Sequence, residues 1–476
     1  METDWASGYR RSPLHRFRDG CTAIDLGRIP LVHTVHGRYD DDGKRHVFSK
    51  NAHSTCPENV DAAVGLRCRY LVEGWPRPAW VGVGYVGGEA GIARVEDGEA
   101  VKFRVERDVL ADAVAWTART LPNRPTVPVL AGLRIDATDG AVTCSSFDYE
   151  VSGRVTVGAE VADPGTVLVS GRLLADIGRS LPDRPVDITS DGTKVVITCG
   201  SARFTLQTLP VDEYPELPEL PASSGTVDGA LLAEAVSQVA VAAGRDDMLP
   251  TLTGIRVEIE CETVTLAATD RYRLAVRELT WHPQRPEVSA IALVPARTLV
   301  DTAKTLGTEG EVTIALAGST NDSLIGLAAG GRRTTSRLID GEWVPNYRRL
   351  FPAETATVAW VEMTALVESV KRVALVAERN TPIRLTFEDG QVVLEAGSGE
   401  DAQASEALPG SIAGPAIATG FNPGYLLDGL QAVDAPFAHL SFTESLKPAV
   451  IQGAESADAD PIPGYRYLAM PIRLSS

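Results

Sequence analysis

The chain has 476 residues, of which 44% are hydrophobic and 23% charged, and its formal net charge is −18. This is ordinary globular composition, and the length suggests about three domains. No apolar run is long enough to span a bilayer and the first residues lack the apolar block of a secretory signal, so we expect a cytoplasmic protein rather than a membrane or secreted one. The cysteines show no paired spacing, which predicts reduced thiols at Cys21, Cys56, Cys68, Cys144, Cys199 and Cys261.

The charge is unevenly distributed along the chain. Residues 101–476 carry 32 of the 45 basic and 49 of the 63 acidic side chains, which gives this part a net charge of −17. DNA phosphates are attracted to local clusters of Lys and Arg, so a body of this charge should not bind nucleic acid non-specifically. Any DNA contact must come from a sequestered basic surface.

The first hundred residues contain five of the seven histidines and show no sustained helical or alternating periodicity. One hypothesis is an extra metal-binding or partner-recruiting domain. The absence of a C-x-x-C or H-x₃-H pair argues against a metal site. We therefore predict a disordered or loosely structured N-terminal extension. The candidate ligands of the metal hypothesis are Cys21, His33, His36, His46, His53, Cys56 and Cys68.

From residue 101 onward the sequence repeats three times, and each repeat opens with an amphipathic helix. Apolar residues recur at helical spacing, for example at Leu366, Val370 and Val373. A second helix follows later in each repeat. The predicted first helices span 107–121, 229–244 and 362–378, and the predicted second helices span 169–181, 294–306 and 421–433.

The second helices carry recognisable start signals, and strands fill the space between helices. Ser170 and Asn422 stand where an N-cap acceptor is expected, while Pro295 and Pro423 suit a first helical turn. Alternating apolar and polar residues with DG-type turns predict antiparallel hairpins. Proline-rich joints near 209–225 and 344–356 separate the repeats. The sequence therefore predicts three α+β domains, which we place at 101–221, 222–352 and 353–476, after the extension at 1–100.

Five segments in order resemble a single family: KFRVERDVLADAVAW, RPTVPVLAGL, ATDRYRLAV, SRLIDGEWVPNYRRLFP and YRYLAMPIRL. From Val101 to about Leu474 the chain is similar to the bacterial beta sliding clamp, the processivity factor of DNA polymerase III. The resemblance implies three domains with two inner helices each and outer antiparallel sheets. It also implies a head-to-tail homodimer that encircles duplex DNA and tethers the replicative polymerase, without catalytic residues, metal or cofactor.

The resemblance starts at Val101, the position where clamps carry their initiator Met. Valine is what a GUG start codon becomes when it is read internally, and Gly98 and Glu99 can be encoded by purine-rich triplets. We hypothesise that translation starts at residue 101.

Basic residues on the helices of each domain would face the DNA if the helices line a pore. Contacts to phosphates read no sequence and permit sliding. Taken singly, each of these side chains is equally compatible with a solvated helix surface. The candidates are Arg119, Arg124, Arg172, Arg179, Arg245, Arg297, Lys304, Lys371, Arg372 and Arg379.

Ring closure requires complementary surfaces at the two ends of the subunit. In ARFTLQTL, the alternation places Phe204 and Leu206 on one strand face. The resemblance implies that this face meets Leu375 and Val376 of the first helix of domain 3. The alternative is that all four belong to the cores of their own domains.

The functional site implied by the resemblance is a cleft between domains 2 and 3. It would bind short hydrophobic segments of the replicative polymerase, repair polymerases and the clamp loader. Aliphatic side chains and Met supply an adaptable apolar trough, and Arg273 and Arg473 could hold polar or acidic parts of the peptide. Arg271 and Tyr272 replace a Gly-His pair of some clamps. The matching positions are Leu252, Thr269, Arg271, Tyr272, Arg273, Leu274, Pro345, Leu350, Pro448, Leu468, Ala469, Met470, Pro471, Ile472, Arg473 and Leu474. Each of them is also compatible with an ordinary strand or turn role.

Two alternatives remain open from the sequence. An enzyme is disfavoured because residues 101–476 contain only His282 and His439, and no P-loop, G-x-S-x-G or Rossmann fingerprint is present. Asp270 is better explained as a turn former than as a catalytic acid. The second alternative keeps the fold but assigns the chain to a clamp paralogue that serves repair or resistance to a clamp-binding inhibitor.

Overall fold

The computed structural model describes residues 100–316, 323–343, 346–377, 381–397 and 402–473. Residues 1–96 and 97–476 form separate compact units. In the first unit only the backbone of short strands is described, at Arg38–Tyr39, Arg45–His46, His53–Ser54, Arg67–Leu71 and Trp80–Gly82. The predicted disorder of residues 1–100 and the side chains of the candidate metal ligands lie outside the described residues.

The first repeat begins with a short strand ahead of its first helix. Phe103 and Val105 alternate inward and are 2% and 4% exposed, while the helix that follows buries Leu110 and Val114 on the same core. Its helices are α1 (Arg107–Thr117) and α2 (Gly171–Ser180), and its strands are β1 (Lys102–Val105), β2 (Gly132–Thr138), β3 (Ala141–Phe147), β4 (Val151–Gly158), β5 (Glu160–Asp163), β6 (Gly165–Ser170), β7 (Val186–Asp191), β8 (Lys194–Cys199) and β9 (Ala202–Gln207).

The second repeat starts its first helix with a carboxylate cap. Asp228 accepts a hydrogen bond from the backbone N–H of Leu231 at 2.8 Å, which satisfies one of the free donors of the first turn. Its helices are α3 (Gly229–Ala240) and α4 (Ala296–Leu306), and its strands are β10 (Ser223–Asp228), β11 (Gly254–Glu260), β12 (Thr263–Thr269), β13 (Arg273–Thr280), β14 (His282–Pro283), β15 (Ser289–Pro295), β16 (Glu311–Leu316), β17 (Leu324–Ala329) and β18 (Arg332–Arg337).

The third repeat follows the same plan. Glu362 caps its first helix by accepting from Thr364 N and Ala365 N, and these hydrogen bonds lower the pKa of Glu362. Its helices are α5 (Met363–Val373) and α6 (Pro423–Gln431), and its strands are β19 (Thr357–Glu362), β20 (Ile383–Glu388), β21 (Gln391–Ala396), β22 (Ala404–Ala413), β23 (Ile417–Phe421), β24 (Phe437–Phe442), β25 (Ala449–Ala454) and β26 (Tyr465–Ala469). Short 3₁₀ helices occur at Ala118–Thr120, Pro128–Ala131, Val211–Glu213, Pro250–Thr253, Tyr347–Leu350 and Ala374–Val376.

Strand pairing joins neighbouring repeats by one rule. At the first junction β4 pairs antiparallel with β18, from Val151 opposite Ser336 to Val155 opposite Arg332. At the second junction β13 pairs with β26 in the equivalent register. The resulting nine-stranded sheet has the order β6-β2-β3-β4-β18-β17-β16-β10-β14, and the twelve-stranded sheet β15-β11-β12-β13-β26-β25-β24-β19-β22-β21-β20-β23. A five-stranded sheet, β5-β1-β7-β8-β9, completes the first repeat.

The helices of each repeat pack in pairs, α1 with α2, α3 with α4 and α5 with α6. One large apolar cluster runs through the three repeats, and a smaller one lies beside each junction, around Phe147 and Tyr214 at the first and around Leu274 and Trp343 at the second. The predicted class of three α+β domains with antiparallel sheets is confirmed.

Some helix details differ from the prediction. The three first helices end at Thr117, Ala240 and Val373, several residues before the predicted ends. Asn422 caps α6 as predicted, but Ser170 makes no side-chain cap hydrogen bond. Ser170 occupies the N-cap position and is also the last residue of β6, paired with Gly132. Pro423 lies in the first turn of α6 as predicted, whereas Pro295 is the residue before α4.

Candidate functional site

The predicted peptide site is built around the tight turn between β12 and β13. Arg271 has a positive φ of 79°. The Asp270 carboxylate accepts hydrogen bonds from the backbone N–H groups of Tyr272 and Arg273 at 3.0 and 3.1 Å, as an aspartate in a turn commonly does. Thr269 donates its hydroxyl hydrogen to the carbonyl of Arg273 at 2.6 Å. The turn is therefore rigid, and it presents Arg271 and Tyr272 to solvent.

The C-terminal segment is fixed beside this turn. The N–H of Met470 donates to the carbonyl of Tyr272 at 2.9 Å, and that of Ile472 donates to the carbonyl of Gly420 at 2.8 Å. Met470 is 40% exposed and Tyr272 57% exposed. Pro471 and Ile472 are half-buried and Arg473 is exposed. Two large apolar side chains from different repeats thus share one accessible surface.

Arg273 does not serve the role predicted for it. Its guanidinium is only 4% exposed and donates to Asp270 at 3.0 Å and to Asp428 of α6 at 2.5 Å. It also lies 4.4 Å from the centre of the Tyr425 ring. Burial alone would lower the pKa of Arg273, but the hydrogen bond to Asp428 together with the interactions with Tyr467 and Asp270 outweighs burial and raises it. The prediction that Arg273 holds an acidic part of a peptide is wrong, because its charge is already neutralised across the junction.

Several other predicted pocket residues are buried in the protein interior below the exposed surface of the site. Thr269, Leu274, Leu468 and Ala469 are all at most 4% exposed. Leu274 and Leu468 pack in the apolar cluster that includes Trp343. Strand alternation and the adjoining linker bury these side chains, so Leu274 and Leu468 contribute little accessible surface to the predicted apolar trough.

The remaining predicted positions lie on separate elements. Leu350 ends a 3₁₀ helix and is 49% exposed. Pro448 is half-buried and precedes Ala449, which pairs with Ala469, so it lies next to the start of the C-terminal segment. Leu252 is half-buried, and its carbonyl accepts from Gly244 at 2.8 Å. Pro345 and Leu474 lie outside the described residues.

The sequence missed the contribution of α6 to this site. The rings of Tyr425 and Tyr272 are stacked with centroids 6.2 Å apart, and Tyr467 donates its hydroxyl hydrogen to the Tyr425 carbonyl at 2.8 Å. Tyr425 and Asp428 are three residues apart on a helix and share a face, which is a signal that the sequence carries. The sequence does not indicate that Tyr425 contacts Tyr272, or that Asp428 contacts Arg273, in repeat 2.

Every predicted DNA-facing residue within the described part of the chain is exposed. Four of these nine contact neighbouring side chains. Arg172 donates a hydrogen bond to Asn123, and ion pairs join Arg179 to Asp176, Lys371 to Glu368 and Arg372 to Glu406. Arg379 lies outside the described residues. The other five of these nine candidates, Arg119, Arg124, Arg245, Arg297 and Lys304, form no ion pair or side-chain hydrogen bond with any described residue.

The four predicted interface residues divide into two kinds. Leu375 is 84% exposed, which is unusual for a leucine. Phe204 and Val376 are half-buried, and Leu206 is 4% exposed within the core of repeat 1. Phe204 and Leu206 do share a strand face, as predicted, but that face also covers their own domain core.

Within the described residues no cluster of three or more His, Cys, Asp and Glu side chains is placed to hold a metal ion. His439 is buried against Trp360, and Cys144 is fully buried, which raises its thiol pKa to about 12. In the described part of the chain, no helix is both long and apolar enough to cross a membrane.

Known proteins match this architecture over most of its length. Models of the N-terminal, central and C-terminal domains of the DNA polymerase III beta subunit match residues 101–218, 226–346 and 348–472. The beta sliding clamp of Streptomyces coelicolor is 59% identical over 79% of this chain and all of its own length. The beta sliding clamp homolog GriR of Streptomyces muensis is 50% identical over 78% of this chain and 99% of its own.

A solved structure has the same fold. The sliding clamp of Pseudomonas aeruginosa, crystallised bound to griselimycin, superposes with a TM-score of 0.73 at 27% identity, covering 79% of this chain and all of its own. The chain therefore belongs to the bacterial beta sliding clamp family, DNA polymerase III beta subunits that are non-catalytic processivity factors acting with DNA and DNA polymerase.

Proposed function

We propose that the protein closes into a head-to-tail homodimeric ring around duplex DNA and tethers the replicative polymerase to it. The observation that carries this proposal is the strand pairing repeated at both internal junctions. In each, the second strand of a hairpin, β4 or β13, pairs with the last strand of the next repeat, β18 or β26. For repeat 3 the equivalent hairpin strand is β22, and the last strand available to it is β9 of a second chain.

Both strands that this pairing requires have an unpaired edge within the described part of the chain. β9 pairs with β8 along one edge, and its other edge is free among the described residues. Over residues 404–409 β22 pairs with β21 alone, because its pairing with β19 begins at Gly410. An unpaired edge is a template for another strand. The register of the internal junctions, transferred to this edge, places Phe204 opposite Ala404 and Ala202 opposite Glu406.

The helix beside this edge supports the same contact. At the first junction, the 3₁₀ turn after α1 lies against β4, so that a Cβ at Gly153 would be 3.0 Å from the Thr120 hydroxyl oxygen. The equivalent turn after α5 is Ala374–Val376. Its exposed Leu375 would then be covered by the partner strand that carries Phe204. Two such contacts close a ring of two chains and pair the free edges of β9 and β22 in both of them.

Sequence-independent binding of DNA is supported by the basic side chains that have no ion pair in the described structure, on a body whose net charge is −17. A topologically closed ring needs only weak phosphate contacts, which permit sliding.

We further propose that the surface formed by Tyr272, Met470 and Leu350 binds segments of the replicative polymerase, the clamp loader and repair polymerases. The domain limits 101–221, 222–352 and 353–476 and a cytoplasmic location are part of the same proposal.

A paralogue devoted to repair or inhibitor resistance is the second candidate. One relative is named a beta sliding clamp homolog, GriR, and a structural neighbour was crystallised with griselimycin. The identity to this homolog is 50%, against 59% to the Streptomyces coelicolor beta sliding clamp. The higher identity favours the replicative role. Deleting the gene for this chain while leaving any other clamp gene intact separates the two roles, since only loss of the replicative clamp stops growth.

Two measurements test the ring. Light scattering on the purified protein should give twice the 50.6 kDa mass of one chain. After loading by the cognate clamp loader onto nicked circular DNA, the protein should stay bound through a high-salt wash and dissociate when the circle is linearised. Salt-resistant retention on linear DNA, or a monomer at micromolar concentration, would contradict the proposal.

A further inference from the structure

A second groove lies at the junction between repeats 1 and 2. Its volume is about 310 Å³, within the range of ligand pockets in proteins. Phe147, Pro218, Leu324 and Leu338 supply its apolar lining, and Phe147 belongs to the small apolar cluster beside this junction. The groove is distinct from the predicted peptide site, which lies between repeats 2 and 3.

The two junctions have the same local geometry. Tyr149, at φ 75°, corresponds to Arg271, at φ 79°. Asp148 accepts from the N–H groups of Glu150 and Val151 at 3.0 and 2.7 Å, as Asp270 does from the two residues at its own turn. The groove therefore begins at a turn that repeats the one at the predicted site.

The strand registers extend this equivalence. The N–H of Arg337 donates to the Glu150 carbonyl at 2.8 Å, as that of Met470 does to the Tyr272 carbonyl. Arg337 pairs with Leu324, and the register of β25 with β26 places Pro448 at the corresponding position beside Met470. Counting onward along the chain, Leu338 corresponds to Pro471 and Asp340 to Arg473. The lining of the groove is thus made by structural counterparts of predicted peptide-site residues.

The charges of the groove differ from those of the predicted site. Arg337 is exposed and forms no ion pair with any residue in the described part of the chain. It replaces the uncharged Met470, while Asp340 replaces the cation Arg473. A guanidinium beside an apolar trough favours a carboxylate next to an aliphatic or aromatic anchor. Tyr149, 47% exposed and 5.6 Å from the Phe147 ring, extends the apolar surface on which an aromatic anchor can stack.

We propose that this groove is a second peptide-binding site, which takes an extended segment of a partner protein with an apolar anchor preceded by an acidic residue. The carboxylate pairs with Arg337, the anchor lies on Phe147, Leu324 and Leu338, and Asp340 accepts a hydrogen bond from the far end of the segment. Each ring would then present two kinds of peptide site, related by the internal repeat but with their charged side chains at different positions.

The test uses two labelled peptides, Ser-Asp-Leu-Phe-Gly and Ser-Lys-Leu-Phe-Gly, and the full chain. We expect calorimetry with the aspartate peptide to show two sites per chain. In Arg337→Glu one site should bind the aspartate peptide at least about tenfold more weakly and the lysine peptide more tightly. In Tyr272→Glu, which alters the predicted site, the Arg337 site should be retained.

Arg333→Glu is the matched control, because it reverses the charge of an exposed arginine on the same strand outside the groove. It should leave both affinities unchanged, and circular dichroism should confirm that both variants fold. A single site that is lost in Tyr272→Glu would overturn the proposal. So would equal binding by Arg337→Glu and Arg333→Glu. A change in dimer mass in Arg337→Glu, with peptide binding intact, would assign the groove to a contact between chains and overturn it as well.

Discussion

Arg332 of the second repeat donates to Asp112 of the first repeat at 2.6 Å, although the two residues are 220 positions apart in the chain. The same guanidinium donates to Glu309 at 2.8 Å and lies 5.8 Å from the centre of the Trp116 ring. The Arg332 side chain thus connects the start of β18 to α1 and to the loop after α4. The ion pair between Arg332 and Asp112 therefore stabilises the pairing of β4 with β18.

Replacing Arg332 with methionine should loosen this junction. The arginine side chain is 16% exposed and Asp112 is 66% exposed, so solvent screens part of the attraction. We expect a loss of about 1–2 kcal/mol of unfolding free energy, measurable as a lower Tm. Arg333→Met removes the neighbouring exposed charge and should change the Tm little. Equal effects of the two variants would contradict the role given to Arg332.

Arg273 performs the corresponding function at the second junction, and its loss should be more damaging. Arg273→Met leaves Asp428 and the buried side of Asp270 without a cation, which should cost about 3 kcal/mol. Arg271, two residues earlier, is exposed and forms no ion pair within the described residues, so Arg271→Met is the matched control. Urea denaturation followed by tryptophan fluorescence compares them. If Asp428→Asn restores none of the loss in Arg273→Met, the unpaired carboxylate is not its cause.

The proposed ring contact predicts a specific effect at Leu375. Leu375→Glu places a charge in a surface that the partner strand should cover, and the dimer dissociation constant should rise at least about tenfold. Leu173→Glu alters a leucine that is 50% exposed on α2 and should leave dimerisation unchanged. Analytical ultracentrifugation over a concentration series gives both constants. Unaltered dimerisation of Leu375→Glu would place the contact elsewhere.

The peptide surface predicts a selective effect at Met470. Met470→Glu introduces a charge beside Tyr272 and should weaken binding of the polymerase's clamp-binding segment at least about tenfold, with little change in Tm. Met248 is 85% exposed in the loop before the 3₁₀ helix Pro250–Thr253 and is not among the predicted pocket positions, so Met248→Glu is the control for adding the same charge. Fluorescence anisotropy with a labelled segment measures both. Undiminished binding by Met470→Glu would remove Met470 from the site.

The fold is largely predictable from this sequence because its signals are local. Leu366, Val370 and Val373 lie one turn apart, and all three are buried as the spacing predicts. Family membership also confirms the prediction that the chain is not an enzyme. Helix starts are less predictable in detail, since Ser170 has a capping side chain and occupies the N-cap position but forms no capping hydrogen bond.

The candidate site is less predictable because burial there depends on contacts between repeats. Arg273 resembles the exposed arginine two residues earlier, and only folding brings Asp428, 155 positions away, against its guanidinium. Leu468 and Tyr467 are neighbours in the chain, yet they join different apolar clusters because strand residues alternate in direction. Local sequence patterns therefore predict where the peptide site lies. Contacts between residues far apart in the chain determine which of its side chains are exposed.

His439 predicts a pH dependence of stability. It is 6% exposed, with its ring 5.4 Å from that of Trp360, and burial lowers its pKa despite the opposing attraction of Asp460. Below about pH 6.5 the unfolded chain binds a proton that the folded histidine binds less readily, so stability falls as the pH decreases and is unaffected above that range. His439→Phe keeps the aromatic contact without the proton. Calorimetry between about pH 5.5 and 8 should show that the Tm of the original chain falls at acid pH relative to this variant, whereas the exposed His282→Phe should follow the original. Parallel pH profiles of the original chain and His439→Phe would show that the buried imidazole does not govern acid stability.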